Sequence, residues 1–136
     1  MSYGMGAALQ AAVYQRLMAD SRLDALVGSA IHDAVPPGAP AGTYVSIGPE
    51  EVRDRSDKTA RGAEHQFVVS VVTDAAGFQT AKAVAAAVSD ALTDAKLNLA
   101  RGRLVGLWFL RARARRDGGE RRIDLTFRAR VEDQTP

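Results

Sequence analysis

The sequence predicts an α+β fold: a mainly antiparallel sheet of about five strands, two main helices packed on one face, and a long closing β-hairpin. Three observations carry this. Residues 104–115 and 121–131 read as long strands around Asp117-Gly118-Gly119-Glu120, and glycine tolerates the positive φ of a tight hairpin turn. Residues 66–73 put Phe67, Val69 and Val71 on one face and Val68 and Val72 on the other, with Ser70 between them, the pattern of a central strand. Residues 5–19 and 78–95 repeat apolar side chains at helical spacing.

At 136 residues the chain suits a single domain spanning 1–136. Its apolar content of 46% and charged content of 25% are those of an ordinary globular protein with a core. There is no cysteine, which excludes disulfides and thiolate metal sites. No apolar run approaches the ~20 residues of a membrane span. The N-terminus lacks a basic start followed by an apolar core, so a secretory signal is not expected.

Taken in order, Leu9, Val13 and Leu17 form the stripe of the first helix, with Ala8 and Ala12 beside them and Tyr14 at its flank. The narrow, small-sided face predicts close packing on a sheet. Ser21-Arg22-Leu23-Asp24 reads as a capping sequence for a short helix that Gly28 stops. Residues 30–35 and 43–47 are expected strands, separated by Pro36-Pro37-Gly38-Ala39-Pro40-Ala41-Gly42, which cannot continue a sheet. Residues 50–64 hold nine charges and one large apolar side chain, Val52, which predicts a mobile charged loop of unusual length. The stripe Ala81, Val84, Ala85, Val88, Ala91, Leu92 and Ala95 defines the longest helix. In the closing hairpin, residues 107–110 are apolar on both faces before Arg111, Arg113 and Arg115 alternate with Ala112 and Ala114. Its second arm alternates Ile123, Leu125, Phe127, Ala129 and Val131 with polar residues, as a half-buried strand does.

Charge is unevenly placed. Residues 1–100 carry 8 basic and 11 acidic side chains, whereas residues 101–136 carry 10 basic and 5 acidic, every base there being arginine. Arginine pairs bidentately with carboxylates and phosphates. The plain reading is a solvated strand face, and the sharper one an interaction face for an acidic protein surface or nucleic acid. Catalytic signals are missing. There is no Walker loop, strand-linked GxGxxG, HExxH or nucleophile elbow. His32 and His65, without cysteines or a carboxylate cluster, read as ordinary strand or surface histidines, and adjacent Glu50 and Glu51 point apart on an extended chain. No cofactor, metal or catalytic residue is expected.

Several segments coincide in order with a known family: Leu23-Asp24-Ala25-Leu26-Val27-Gly28, Ile31-His32-Asp33-Ala34-Val35-Pro36 before a proline-rich turn, and Tyr44-Val45-Ser46-Ile47-Gly48 before a charged loop. A strand, an alanine-rich helix and a closing hairpin follow. Over nearly its whole length the chain resembles the tail-completion or tail-terminator proteins of long-tailed phages. Its Ala- and Arg-rich composition resembles the versions in gene transfer agents. Ala30 and His32 stand where members often have a basic residue and an aromatic, and Val72 where tryptophan is frequent.

The resemblance implies a non-enzymatic virion protein, assembled in the bacterial cytoplasm. It implies a homohexameric ring at the head-proximal end of the tail. Such a ring terminates the tail tube and joins it to the head connector or stopper, with DNA passing through the lumen without sequence-specific recognition and no membrane partner. On that basis Arg53, Arg55, Lys58, Arg61, Trp108, Arg111, Arg113, Arg115, Arg128 and Arg130 are expected at the interface with neighbouring subunits or the tube. The alternatives are another head–tail connector and, from a different class, a nucleic-acid-binding α+β module.

Overall fold

The computed structural model describes residues 3–33, 35, 38, 40–58 and 61–133. Three helices, α1 (Gly6–Met18), α2 (Ser21–Val27) and α3 (Gln79–Leu92), accompany five strands: β1 (Ile31–His32), β2 (Thr43–Asp54), β3 (Arg61–Thr73), β4 (Arg103–Asp117) and β5 (Glu120–Asp133). The strands form one sheet in the order β1-β2-β3-β5-β4.

The α+β class stands, with two departures. The sheet is mixed, because β1 pairs parallel to β2, whereas β2–β3, β3–β5 and β4–β5 are antiparallel. A tight turn forces neighbouring strands to run oppositely; the ten residues between β1 and β2 let the chain return to the same end of the sheet. The short α2 also joins the helical layer, burying Leu23 fully. Its N-cap is Asp20, not Ser21: the Asp20 carboxylate accepts from the Leu23 N–H at 2.9 Å. Gly28 ends it at φ 59°, a conformation glycine adopts without Cβ strain.

The helices cover one face of the sheet. The α3 stripe, Ala81, Val84, Ala85, Val88, Ala91 and Leu92, is buried, and so are Leu9, Val13 and Leu17 of α1. Alanines on α3 let its backbone approach the strands. Beneath lie Val45 and Ile47 of β2, Phe67, Val69 and Val71 of β3, Leu107 of β4, and Ile123, Leu125, Phe127 and Ala129 of β5. Phe127 is the centre of an aromatic row, 5.7 Å from Phe67 and 5.9 Å from Phe109 between ring centroids. Asp94, in the left-handed region at φ 57°, donates its N–H to the Leu107 carbonyl and ties the end of α3 to β4.

Three further expectations change. The first strand spans two residues, and of its expected extent Ala34 lies outside the described residues, as do Pro36, Pro37 and Ala39 of the following loop. The charged stretch at 50–64 is mostly strand: Glu50–Asp54 pair with Phe67–Ala63 and extend the β2–β3 hairpin, leaving only residues 55–60 between the strands. Thr59 and Ala60 of that turn lie outside the described residues. Glu51, Arg53 and Glu64 occupy the hairpin's wet face, while its other face has a small core of its own. There Ala63 and Val131 pack with Met5, flanked by Val52, Leu99 and Leu104. Finally, the apolar start of the closing hairpin is not buried on both faces. Only Leu107 is fully covered, and Val105, Phe109 and Leu110 stay 40–45% exposed, because β4 is an edge strand.

Three irregularities set which side chains face where. The β2–β3 register shifts between Ile47 and Glu50, and the β4–β5 register shifts between Leu104 and Gly106 and again between Phe109 and Arg111. One unpaired residue in a strand of period two inverts every face beyond it. The Ile47/Glu50 and Phe109/Arg111 shifts flank the same level of the central ladder, beside Val68 and Thr126.

Truncating Phe127 to Ala should cost about 3–5 kcal/mol, read as a lowered urea midpoint. Phe109→Ala, at a site 41% exposed, should cost less than about half of that.

Candidate interaction face on the open side of the sheet

Opposite the helices the sheet carries no covering layer among the described residues. β5 contributes Arg122, Asp124, Thr126, Arg128 and Arg130 to this face, because its other alternate residues fill the core. β3 contributes Glu64, Gln66, Val68, Ser70 and Val72 by the same alternation. Simple alternation along β4 would turn Arg111, Arg113 and Arg115 toward the helix side with Leu107. The bulge at Leu110 inverts this. Arg111 pairs with Thr126, Arg113 with Asp124 and Arg115 with Arg122, so all three join Trp108 on the open side.

Two charge networks organise the face. In the first, the Ser70 hydroxyl donates to Asp124 Oδ1 at 2.6 Å, and Arg122 donates Nε to the same oxygen at 3.0 Å and Nη2 to Ser70 Oγ at 3.2 Å. Arg115 approaches the other Asp124 oxygen at 3.7 Å. Burial opposes ionisation of Asp124, but the hydrogen bonds from Ser70 and Arg122 and the charges of Arg122 and Arg115 outweigh it. The carboxyl is held below its ordinary range. In the second network Glu64 lies 3.8 Å from Arg55 Nε and 3.9 Å from Arg128 Nε. The Arg128 guanidinium stacks 4.7 Å from the centre of the Trp108 ring. Arg130 donates to the Arg55 carbonyl at 3.4 Å. Between the Ile47/Glu50 and Phe109/Arg111 bulges lies a shallow depression of ≈ 350 Å³, lined by Pro49, Val68, Ser70 and Thr126, by Arg111, Arg113 and Arg115 of β4, and by Arg122 and Asp124 of β5.

The ten residues expected at an interface are thus largely brought together. Trp108, Arg111, Arg113, Arg115, Arg128 and Arg130 share the open face, with Arg53 and Arg55 at its hairpin end. Arg53 is solvent-exposed beside Glu51. Lys58 is exposed in the turn after β2. Arg61 pairs with Asp133, and the alternation turns it to the helix side, apart from the others. Linear reading did not single out Ser70, Glu64, Arg122 or Asp124, since their partnerships exist only across strands. His65 is a strand residue, but a buried one at 1% exposure, donating Nδ1–H to Glu50 at 2.9 Å. Glu50 also accepts from the Tyr3 hydroxyl. Glu50 and Glu51 do point apart, the first to the helix side with His65 and the second to the open side.

Among the described residues no group of three or more His, Asp or Glu could hold a metal ion, and no helix is long and apolar enough to cross a membrane. What the face can do is present guanidinium groups to an extended anionic or mixed surface.

Residues 11–132 match the family described as Tail completion protein gp17. A chain from the "Virion of native gene transfer agent (GTA) particle" is 71% identical, with a TM-score of 0.91 over 96% of this chain and 99% of that one. No curated protein matches.

A depressed carboxyl pKa adds stability that is present above the unfolded-state value of about 3.9 and is lost as pH falls through the folded-state value. Asp124→Asn should therefore lower stability at pH 7 by about 1–2 kcal/mol, discounted for partial exposure. The gap to wild type should close below about pH 4. Urea titrations across pH 2.5–7 measure both.

Proposed function

The chain belongs to the Tail completion protein gp17 family, and from that premise we propose that it closes the tail of a phage-like particle as a ring of identical copies. It is a structural component of a virion tail and not an enzyme. In the proposed role a hexameric ring sits on the head-proximal end of the tail tube. It stops tube polymerisation and joins the tail to the head connector, and DNA passes through its lumen. The observation that carries this reading is the family match over residues 11–132 together with the 71% identity to a chain of a gene transfer agent virion.

The architecture supports it. A closed ring needs two unlike patches that meet on neighbouring copies. This sheet has two unlike free edges. β4 is open along its length, while β1 covers β2 only at Val45 and Ser46 and leaves its outer half free. Three antiparallel steps separate β2 from β4, so the two run in opposite directions. A copy rotated about a ring axis therefore brings its β2 antiparallel to β4 of its neighbour. The hairpin end, with Arg53, Arg55, Lys58 and Arg61 and with Arg128 and Arg130 behind them, is proposed to contact the next subunit or the tube, and Trp108 to stiffen the joint by holding Arg128.

Electron microscopy of intact particles should place the protein as a ring at the collar; density elsewhere along the tail would refute this role. Reversing charge at the exposed hairpin end with Arg53→Glu and Lys58→Glu should weaken association with the tail-tube protein at least about tenfold. The urea midpoint should stay unchanged.

A further inference from the structure

We propose that the arginine-lined depression between the two bulges is a binding site for the phosphodiester backbone of duplex DNA. The inference rests on the ring reading for where DNA is met; the binding itself belongs to the single chain.

Four observations carry it. First, Arg111 and Arg113 are exposed and make no ion pair among the described residues, although every other arginine lining the depression is held by Asp124. These two guanidiniums are available. Second, Arg111, Arg113 and Arg115 alternate along one strand, which spaces them about 7 Å apart. That is close to the separation of successive phosphates along one nucleic-acid strand. An evenly spaced row of cations suits a regular polyanion better than the irregular charges of a folded acidic protein. Third, a neutral hydroxyl stands among the cations: Thr126, the cross-strand partner of Arg111, lines the site, while the Ser70 hydroxyl is committed to Asp124. Phosphate contacts in duplex recognition draw on this mixture of guanidinium and hydroxyl groups. Fourth, the site depends on the bulge at Leu110. Without that inserted residue the arginines would lie on the opposite face from Arg122. Bulges that re-aim side chains are enriched beside functional sites.

The geometry also limits what is read. The arginines line a shallow depression on a sheet, not a protruding helix, so the contacts assigned are to the backbone and independent of sequence. In a ring, this assigns the open face of the sheet to the channel and the helices to the outside. The arginines would grip passing or parked DNA weakly and reversibly.

The test uses the full chain and a fluorescent 20-base-pair duplex, with anisotropy read between 50 and 200 mM NaCl. Affinity should fall steeply with salt, as released counterions require. Arg111→Ser with Arg113→Ser should lower the log–log salt slope by about two and leave the urea midpoint unchanged. Lys82→Ser, on the exposed side of α3, should leave both unaltered. An affinity insensitive to salt, or a double variant that binds DNA as wild type does, would overturn the proposal. So would capture of the tail-tube protein by the same arginines without measurable duplex binding. Because duplex binding is read on the isolated chain, failure to see a ring in particles would sink the ring reading and leave this one standing.

Discussion

Thirteen residues of β3 pair in unbroken register with β5, and this central ladder fixes what lies on either side of the sheet. Once Val69 stands opposite Leu125 and Phe67 opposite Phe127, every second residue of both strands is committed to the helical layer. The remaining half must then face away from it. A one-residue slip would bury Asp124 and Arg128 under α3 and expose Phe127, so hydrophobic burial and the cost of burying unpaired charge lock the same register. The Phe67–Phe127–Phe109 row adds directional packing at the level where the outer strands break step.

The outer strands are less constrained, and they hold the irregularities. β2 and β4 each take an extra residue beside the same level of the ladder. In β2 the shift brings Glu50 and Val52 in toward His65 and the small core around Met5, which carries the hairpin well beyond the main core. In β4 it sends Arg111, Arg113 and Arg115 out. A single mechanism thus builds both the extended hairpin end and the cationic face. Bulges and edge arginines also discourage indiscriminate strand pairing.

A structural role is consistent with how ionisable groups are used. Asp124 and Glu64 each serve two arginines, and Glu50 accepts a hydrogen bond from the buried His65. These are networks that position cations and stiffen a surface. The charge surplus of the last 36 residues is concentrated on one face by folding, so a modest net charge becomes a strong local field.

Periodicity alone determined the class, the helices, the closing hairpin and the core of β5, because burial under a helical layer imposes alternation directly on neighbouring residues: Ile123, Leu125, Phe127 and Ala129 could be read in place. The order of Leu23–Gly28, Ile31–Pro36 and Tyr44–Gly48 was enough to point to the family. Only the tertiary structure decided the parallel pairing of β1, the strand character of the charged 50–54 and 61–64 segments, and the faces of Arg111, Arg113 and Arg115. Parallel pairing depends on where a connection ends in space. A hairpin's charged face looks like a loop until its partner strand is known. A bulge is invisible to alternation, because the inserted residue is defined only by the strand across from it. The Ser70–Asp124–Arg122 and Arg55–Glu64–Arg128 networks were illegible for the same reason, joining residues far apart in the chain that the ladder sets side by side.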